Sequence, residues 1–315
     1  MNELTERIQQ EIRRVVLGKD EAVEKVLMAI LAKGHVLLED VPGVGKTTMA
    51  MSFSRVLGLE TRRVQFTSDT MPSDILGYSV YNKDRGEMEY KKGAVMTNLL
   101  LADEINRTSS KTQSALLEAM EEGHVTVDGV TYPLPSPFVV LATQNPVGSA
   151  GTTALPNSQL DRFIIRMSMG YPDAKTQSDI MRERHHENPL DRVQSVTDAE
   201  GLARLIDEVQ QTYMADEIYD YISALVEKTR TNPFVVLGVS PRGALALCRC
   251  AKARGFLQGR DYVLPEDVQA VFLSVCAHRL MLSSKAKLHD YTAEGLLAAM
   301  LDEVKAPESR AFKKL

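Results

Sequence analysis

Cysteine is scarce in this 315-residue chain, and tryptophan is missing altogether. The three cysteines, Cys248, Cys250 and Cys276, are odd in number and lack paired spacing. That argues against a disulfide framework and a zinc knuckle, and fits small core-filling residues in a reducing cytoplasm. No stretch approaches the ~20 apolar residues of a membrane span. The charged amphipathic start, with Leu4, Ile8, Ile12 and Val15 on one face, lacks the apolar core of a signal peptide. The expectation is a cytoplasmic protein with no membrane insertion. Positive charge is not in excess: 37 Lys and Arg stand against 42 Asp and Glu, for a net charge of −5. Nothing general therefore points to nucleic acid. There is no internal repeat and no low-complexity segment. What is present, 44% hydrophobic and 25% charged residues, is ordinary for a globular protein of one large or two smaller domains.

Strand, loop and helix signals alternate through the first half. After two amphipathic helices, the second closed by Lys33-Gly34, the short apolar run His35–Glu39 reads as a buried strand. A glycine-containing loop and a helix from Thr47 to about Leu57 follow it. Further strands are expected at Arg62–Phe66, Asn98–Ala102, Phe138–Ala142 and from Phe163. Continuous apolar runs suit strands covered by helices on both faces, so the fold class is α/β with a mostly parallel sheet. His124–Val127 and Val130–Tyr132, joined by Asp128-Gly129, predict a projecting hairpin on a type I′ turn. Beyond Tyr171-Pro172 helical periodicity takes over, with a capping box at Thr197–Glu200 and helix starts at Ser240-Pro241 and Leu264-Pro265. Phe234–Leu237 reads as the approach to the Ser240 helix. The division is a core of residues 1–171 and an all-α lid of residues 172–315.

Three motifs carry chemistry. Asp40-Val41-Pro42-Gly43-Val44-Gly45-Lys46-Thr47 matches the phosphate-binding loop G-x-x-x-x-G-K-[ST], except that Asp40 replaces the first glycine at the rim. Gly43 and Gly45 let backbone N–H groups converge on phosphates, and the helix beginning near Lys46 and running through Thr47 and Thr48 points its positive end at them. Lys46 reaches the β and γ oxygens, and the Thr47 hydroxyl is a Mg²⁺ ligand. The strand Asn98–Ala102 ends in Asp103-Glu104. Asp103 suits a metal's water shell, and Glu104 suits orienting and deprotonating an attacking water. The next strand ends Ala142-Thr143-Gln144-Asn145-Pro146, where the Asn145 amide can contact a γ-phosphate. By contrast, the adjacent pair His185-His186 cannot readily chelate one ion, because neighbours on a helix point about 100° apart.

Together these motifs resemble the AAA+ superfamily, and closely its MoxR group of bacterial ATPases. Leu38–Thr47, Asn98–Arg107, Lys111–Glu122, Ala142–Pro146 and Leu160–Phe163 carry the resemblance. It implies an ATPase using Mg²⁺, with a core bearing helix-2 and pre-sensor-1 hairpin insertions (around Ser73–Gly93 and at Asp128-Gly129) and a helical lid. Val15–Gly18, including Val16 and Gly18, resembles the segment that lies against the adenine. Asn145 corresponds to sensor 1. Arg162 corresponds to an arginine finger presented to a neighbouring subunit, with Arg166 as a substitute, and Arg242 to sensor 2 on the lid, placed over the phosphates when the lid closes. Gly148–Thr152 and Asn157 carry small or neutral residues where the group commonly has glutamate. The resemblance further implies a hexameric ring, a client protein or metal-cofactor complex, and a von Willebrand A-domain partner. Two other roles stay open: a nucleic-acid-stimulated motor of the helix-2-insert clade, against which the net charge counts, and the ATPase subunit of a metal chelatase.

Overall fold

The computed structural model describes residues 3–41, 43–145, 154–184 and 188–308. The readings made for Pro42, Pro146, residues 148–152 and His185-His186 lie outside the described residues. Helices α1 (Glu3–Arg13) and α2 (Asp20–Leu31) precede β1 (Val36–Glu39), α3 (Lys46–Val56) and β2 (Thr61–Gln65). An insertion follows, made of α4 (Pro72–Leu76) and the hairpin β3 (Gly77–Asn82) and β4 (Glu87–Lys92). Then come β5 (Leu99–Asp103), α5 (Ser110–Glu122), the hairpin β6 (His124–Val127) and β7 (Val130–Pro133), β8 (Val139–Gln144), α6 (Asn157–Leu160) and β9 (Ile165–Met167). The central sheet has five strands in the order β2-β5-β8-β1-β9, and all its pairings are parallel.

Alternation along each strand builds two cores. Val36 and Leu38 of β1, with Leu99 and Leu101 of β5, join the layer that also holds α1, α2 and α3. Leu37, Leu100 and Ala102 point the other way, onto α5 and the insertions. β5 and β8 are buried along their whole length, which is why they read as unbroken apolar runs. Asp128 (φ 51°) and Gly129 (φ 79°) both take the left-handed conformation of the expected hairpin turn. Tyr90 of the first insertion stacks on Tyr132 of the hairpin at 4.1 Å, so the two insertions touch.

The second half contributes α7 (Ala174–Arg184), α8 (Ala199–Gln210), α9 (Asp216–Thr231), β10 (Val235–Leu237), α10 (Pro241–Leu257), α11 (Pro265–Cys276), β11 (Met281–Leu282), α12 (Ser284–Leu288) and α13 (Ala293–Glu303). It is not wholly helical, because β10 and β11 pair as an antiparallel ribbon. Such a short apolar run is a strand only because a partner arrives from distant sequence. One helix end differs from expectation, and another is made differently in detail. Asp198, rather than Thr197, caps α8, its carboxylate accepting from Gly201 N at 2.7 Å. After α2 the left-handed residue is Lys33 (φ 53°). Gly34 is needed for another reason, since a Cβ there would come within 2.3 Å of Ile164.

The lid is anchored at the N-terminal ends of the strands. Arg279 is buried and donates to Asp161 Oδ1 (2.7 Å) and to the carbonyls of Phe163 (2.8 Å) and Ile164 (3.2 Å). Its apolar core is continuous with the layer of α1 to α3. Cys250 and Cys276 are free and buried within that layer, and burial pushes both thiols up to about 12. Among the described residues no helix is long and apolar enough to cross a membrane.

Candidate active site

Parallel strands put all their C-terminal ends on one edge, where open α/β sheets bind ligands. Asp40, Asp103 and Asn145 follow or end β1, β5 and β8 there. Gly43 (φ 88°) and Gly45 (φ 100°) are left-handed, and a Cβ at either would meet nothing within 4 Å. Backbone conformation, not lack of space, therefore demands glycine. Gly45 caps α3, with Lys46, Thr47 and Thr48 as its first residues. Lys46 Nζ donates to the carbonyls of Asp40 (2.7 Å) and Val41 (3.4 Å). Burial lowers the Lys46 pKa, while Asp40, Asp103 and Glu104 all oppose that shift, so the lysine sits in the field of three carboxylates.

Asp103 is buried and accepts from Arg63 Nε (2.7 Å) and Thr143 Oγ1 (3.3 Å). Glu104 adopts φ 57° and ψ 48°, a conformation that costs a residue with a Cβ about 1–2 kcal/mol. Its N–H donates to Thr143 Oγ1 (2.9 Å), and its carboxylate accepts from Asn145 Nδ2 (3.1 Å) and Arg107 Nη1 (2.7 Å). The strained turn thus aims Glu104 at Asn145 on the neighbouring strand. The Arg107 bond above all, and the Asn145 bond, hold the Glu104 carboxyl below the usual range, so it is ionised at neutral pH. Asn106 Nδ2 in turn donates to the Asn145 carbonyl at 3.1 Å.

Thr143, which bridges Glu104 and Asp103, and Arg63, which holds Asp103, escape a linear reading. Thr143 sits inside a motif that draws attention to its amide, and Arg63 comes from β2, forty residues before its partner. Of the residues expected against the base, Val16 is buried, and Gly18 (φ 65°) lies against Thr176 of α7, whose side chain would be 2.8 Å from a Cβ. Asp40, at the rim of the loop, is buried and bonded to Ser168 Oγ (2.8 Å), Met169 N (2.5 Å) and Gly170 N (3.2 Å).

The arginines lie elsewhere. Arg162 Nε donates to Glu121 Oε2 at 2.8 Å, and Arg242 Nη2 donates to the other oxygen of the same carboxylate. Both line a cavity of about 210 Å³ with Lys33, Gly34 and His35, which precede β1. The phosphate loop leaves the far end of that strand, about 13 Å away at ~3.3 Å per residue. Arg242 here stands away from its own phosphate loop, over which the resemblance puts it when the lid closes. The lid docks at the strands' N-terminal ends, and α10 starts where Ser240 Oγ donates to Asp161 (3.0 Å). Arg166 pairs with Glu39 (3.4 Å) and Glu294 (3.5 Å), so intrachain carboxylates engage it.

For a divalent metal the donors are few: the Thr47 hydroxyl and the Asp103 carboxylate. Among the described residues no group of three His, Cys, Asp or Glu could hold a metal. Such a sparse set fits Mg²⁺, which keeps several waters and takes one or two carboxylates plus substrate phosphates.

A phosphate loop on β1, an acidic end on β5, an amide on β8 and an appended lid define an ATPase core of the AAA+ type. Residues 35–165 match the family described as ATPase family associated with various cellular activities (AAA), and residues 227–298 match the AAA lid domain. The chain is 38% identical over 315 residues to Chaperone MoxR1 of Mycobacterium tuberculosis, covering 97% of this chain and 83% of that one. It is 48% identical to "Uncharacterized protein YeaC" of Bacillus subtilis, covering 96% and 94% of the two. A crystal structure described as a "putative ATPase" from Cytophaga hutchinsonii superposes with a TM-score of 0.90 at 36% identity, covering 97% of this chain and 95% of that one. The chain belongs to the MoxR family of AAA+ ATPases.

Proposed function

We propose that the chain binds ATP with Mg²⁺, hydrolyses it at the boundary between copies in a ring, and uses the cycle as a chaperone-like remodeller. The observation that carries hydrolysis is the Glu104–Asn145 hydrogen bond of 3.1 Å within the electrostatic reach of Lys46. Lys46 leaves the loop carbonyls to contact the β and γ oxygens, with the loop N–H groups and Thr48 around the phosphates and Val16 to Gly18 against the base. Thr47 and Asp103 would hold Mg²⁺, which supplies charge neutralisation at the phosphates. Glu104, ionised and held by Asn145, accepts a hydrogen bond from the attacking water and orients it at the γ-phosphorus. Arg63 and Thr143 keep the Asp103 carboxylate in place.

The position of Arg162 and Arg242 supports a shared site. Both stand at the end of the sheet opposite their own phosphate loop, so a phosphate from a neighbouring copy is the one within their reach. Arginines supplied this way stabilise transition-state charge. By family resemblance the ring is hexameric, its client is a protein or metal-cofactor complex, a von Willebrand A-domain protein is a partner, and the setting is the cytoplasm.

The test is Glu104→Gln, which keeps the hydrogen bond from Asn145 but removes the charge. ATP should bind with unchanged affinity while turnover falls about 10²–10⁴-fold. Near-normal hydrolysis would move the water-orienting role to another residue. The same variant, stalled with ATP, is the bait for capturing the client.

A further inference from the structure

Asp40 occupies the position at which the general phosphate-loop motif has glycine, and its side chain is fully used. It reaches across to the stretch Ser168–Tyr171, which leads from β9 to α7, and accepts from Ser168 Oγ, Met169 N and Gly170 N. The same stretch is gripped from the other side. Lys19 Nζ donates to the carbonyls of Met169 (2.7 Å), Gly170 (3.0 Å) and Tyr171 (3.0 Å). A carboxylate thus takes the N–H groups of this link while an ammonium takes its C=O groups. Both contacts are charge-assisted, the stronger kind of hydrogen bond.

The two grips come from the two ends of the nucleotide site. Asp40 opens the phosphate loop, and Lys19 directly follows the base-side residues Val16 to Gly18. Asp40 also has a second contact that a phosphate must break: its carbonyl accepts from Lys46 Nζ at 2.7 Å. When Lys46 turns to phosphate oxygens, the peptide it leaves belongs to the residue whose carboxylate holds the link to α7.

We propose that Asp40 and Lys19 are positioning residues that transmit the state of the phosphate loop to Ser168–Tyr171, and through it to the second half of the chain. This rests on the reading that the loop binds and turns over ATP. A purely structural role for the same bonds would stabilise the fold without separating binding from turnover.

The experiment uses the full chain with Asp40→Gly, Asp40→Asn and Lys19→Met. ATP affinity, turnover and amide hydrogen exchange over residues 168–182, with and without ATP, are measured for each. Asp40→Gly restores the glycine of the general motif, so ATP should bind within about threefold of the parent while kcat drops about tenfold or more. The ATP-dependent change in exchange over residues 168–182 should disappear. Asp40→Asn retains one carbonyl oxygen to accept from Ser168 and Gly170, and should recover part of both. Lys19→Met should give the same split from the carbonyl side. Should Asp40→Gly not fold, the other two variants decide. Parental turnover together with parental exchange overturns the proposal. So does loss of ATP binding as complete as that of Lys46→Ala, which would confine Asp40 to the loop itself. If the parent binds ATP without hydrolysing it, the ATPase reading fails separately. The exchange arm then decides alone, for if Asp40→Gly keeps the parent's ATP-dependent change the proposal falls.

Discussion

Acid should destabilise this protein through His35 well before most carboxylates titrate. His35 is buried between the sheet and α5, with Nδ1 accepting from Val140 N at 3.0 Å and Nε2 lying 3.1 Å from the Met120 carbonyl. Because Val140 N–H can only donate, Nδ1 is unprotonated and Nε2 carries the hydrogen. Adding a second proton would set two donors against each other at a buried position beside an arginine-lined cavity. Burial, the dominant cause, lowers the His35 pKa to about 4. The unfolded chain takes up that proton near pH 6.5, so between about pH 6.5 and 4 it binds more protons than the folded chain, and stability falls as pH falls. At up to ~1.4 kcal/mol per pH unit, His35 alone should remove about 2.5 kcal/mol between pH 7.5 and 4.5. That is a large part of the ~5–15 kcal/mol typical of a domain. Buried His278 bonds the Phe163 carbonyl (3.0 Å) and lies beside Arg279; burial chiefly lowers its pKa too, and its contribution has the same sign. Urea unfolding at several pH values, compared between the parent and His35→Gln, isolates the His35 share. The parent should lose about 2.5 kcal/mol more than the variant over this range. Parallel pH profiles would refute the assignment of a neutral, acid-labile His35.

The remaining expectations concern the arginines. Arg162→Ala should bind ATP yet be nearly inactive, and mixing it with Lys46→Ala should restore part of the activity. A mixture that stays inactive while rings exchange subunits refutes the shared site. Arg279→Met strips Asp161 and several carbonyls of a buried partner and should cost about 3–5 kcal/mol in chemical unfolding; a loss below ~1 kcal/mol would show that water or relaxation replaces those bonds.

The chemistry of this protein was legible along the chain wherever it depends on neighbours in sequence. A phosphate loop needs glycines at fixed offsets before a helix, and a buried strand ending in two carboxylates announces itself by its apolar run. Those signals marked Lys46, Thr47, Asp103, Glu104 and Asn145 as candidates, which the fold gathers at one edge of the sheet, and they located the α/β class and the hairpin at Asp128-Gly129. Linear spacing carries no information about residues that meet only because elements pack. Arg63 reaches Asp103 through the pairing of β2 with β5. Asp40 read only as a departure from glycine at the rim of the loop until Ser168–Gly170 folded over it, and β10 became a strand only when β11 arrived beside it. Arg242 was singled out by the family resemblance at Ser240-Pro241-Arg242, but its place depended on where the lid docks. That was decided by Arg279 and His278 seating against Asp161, Phe163 and Ile164, at the opposite end of the strands from the phosphate loop.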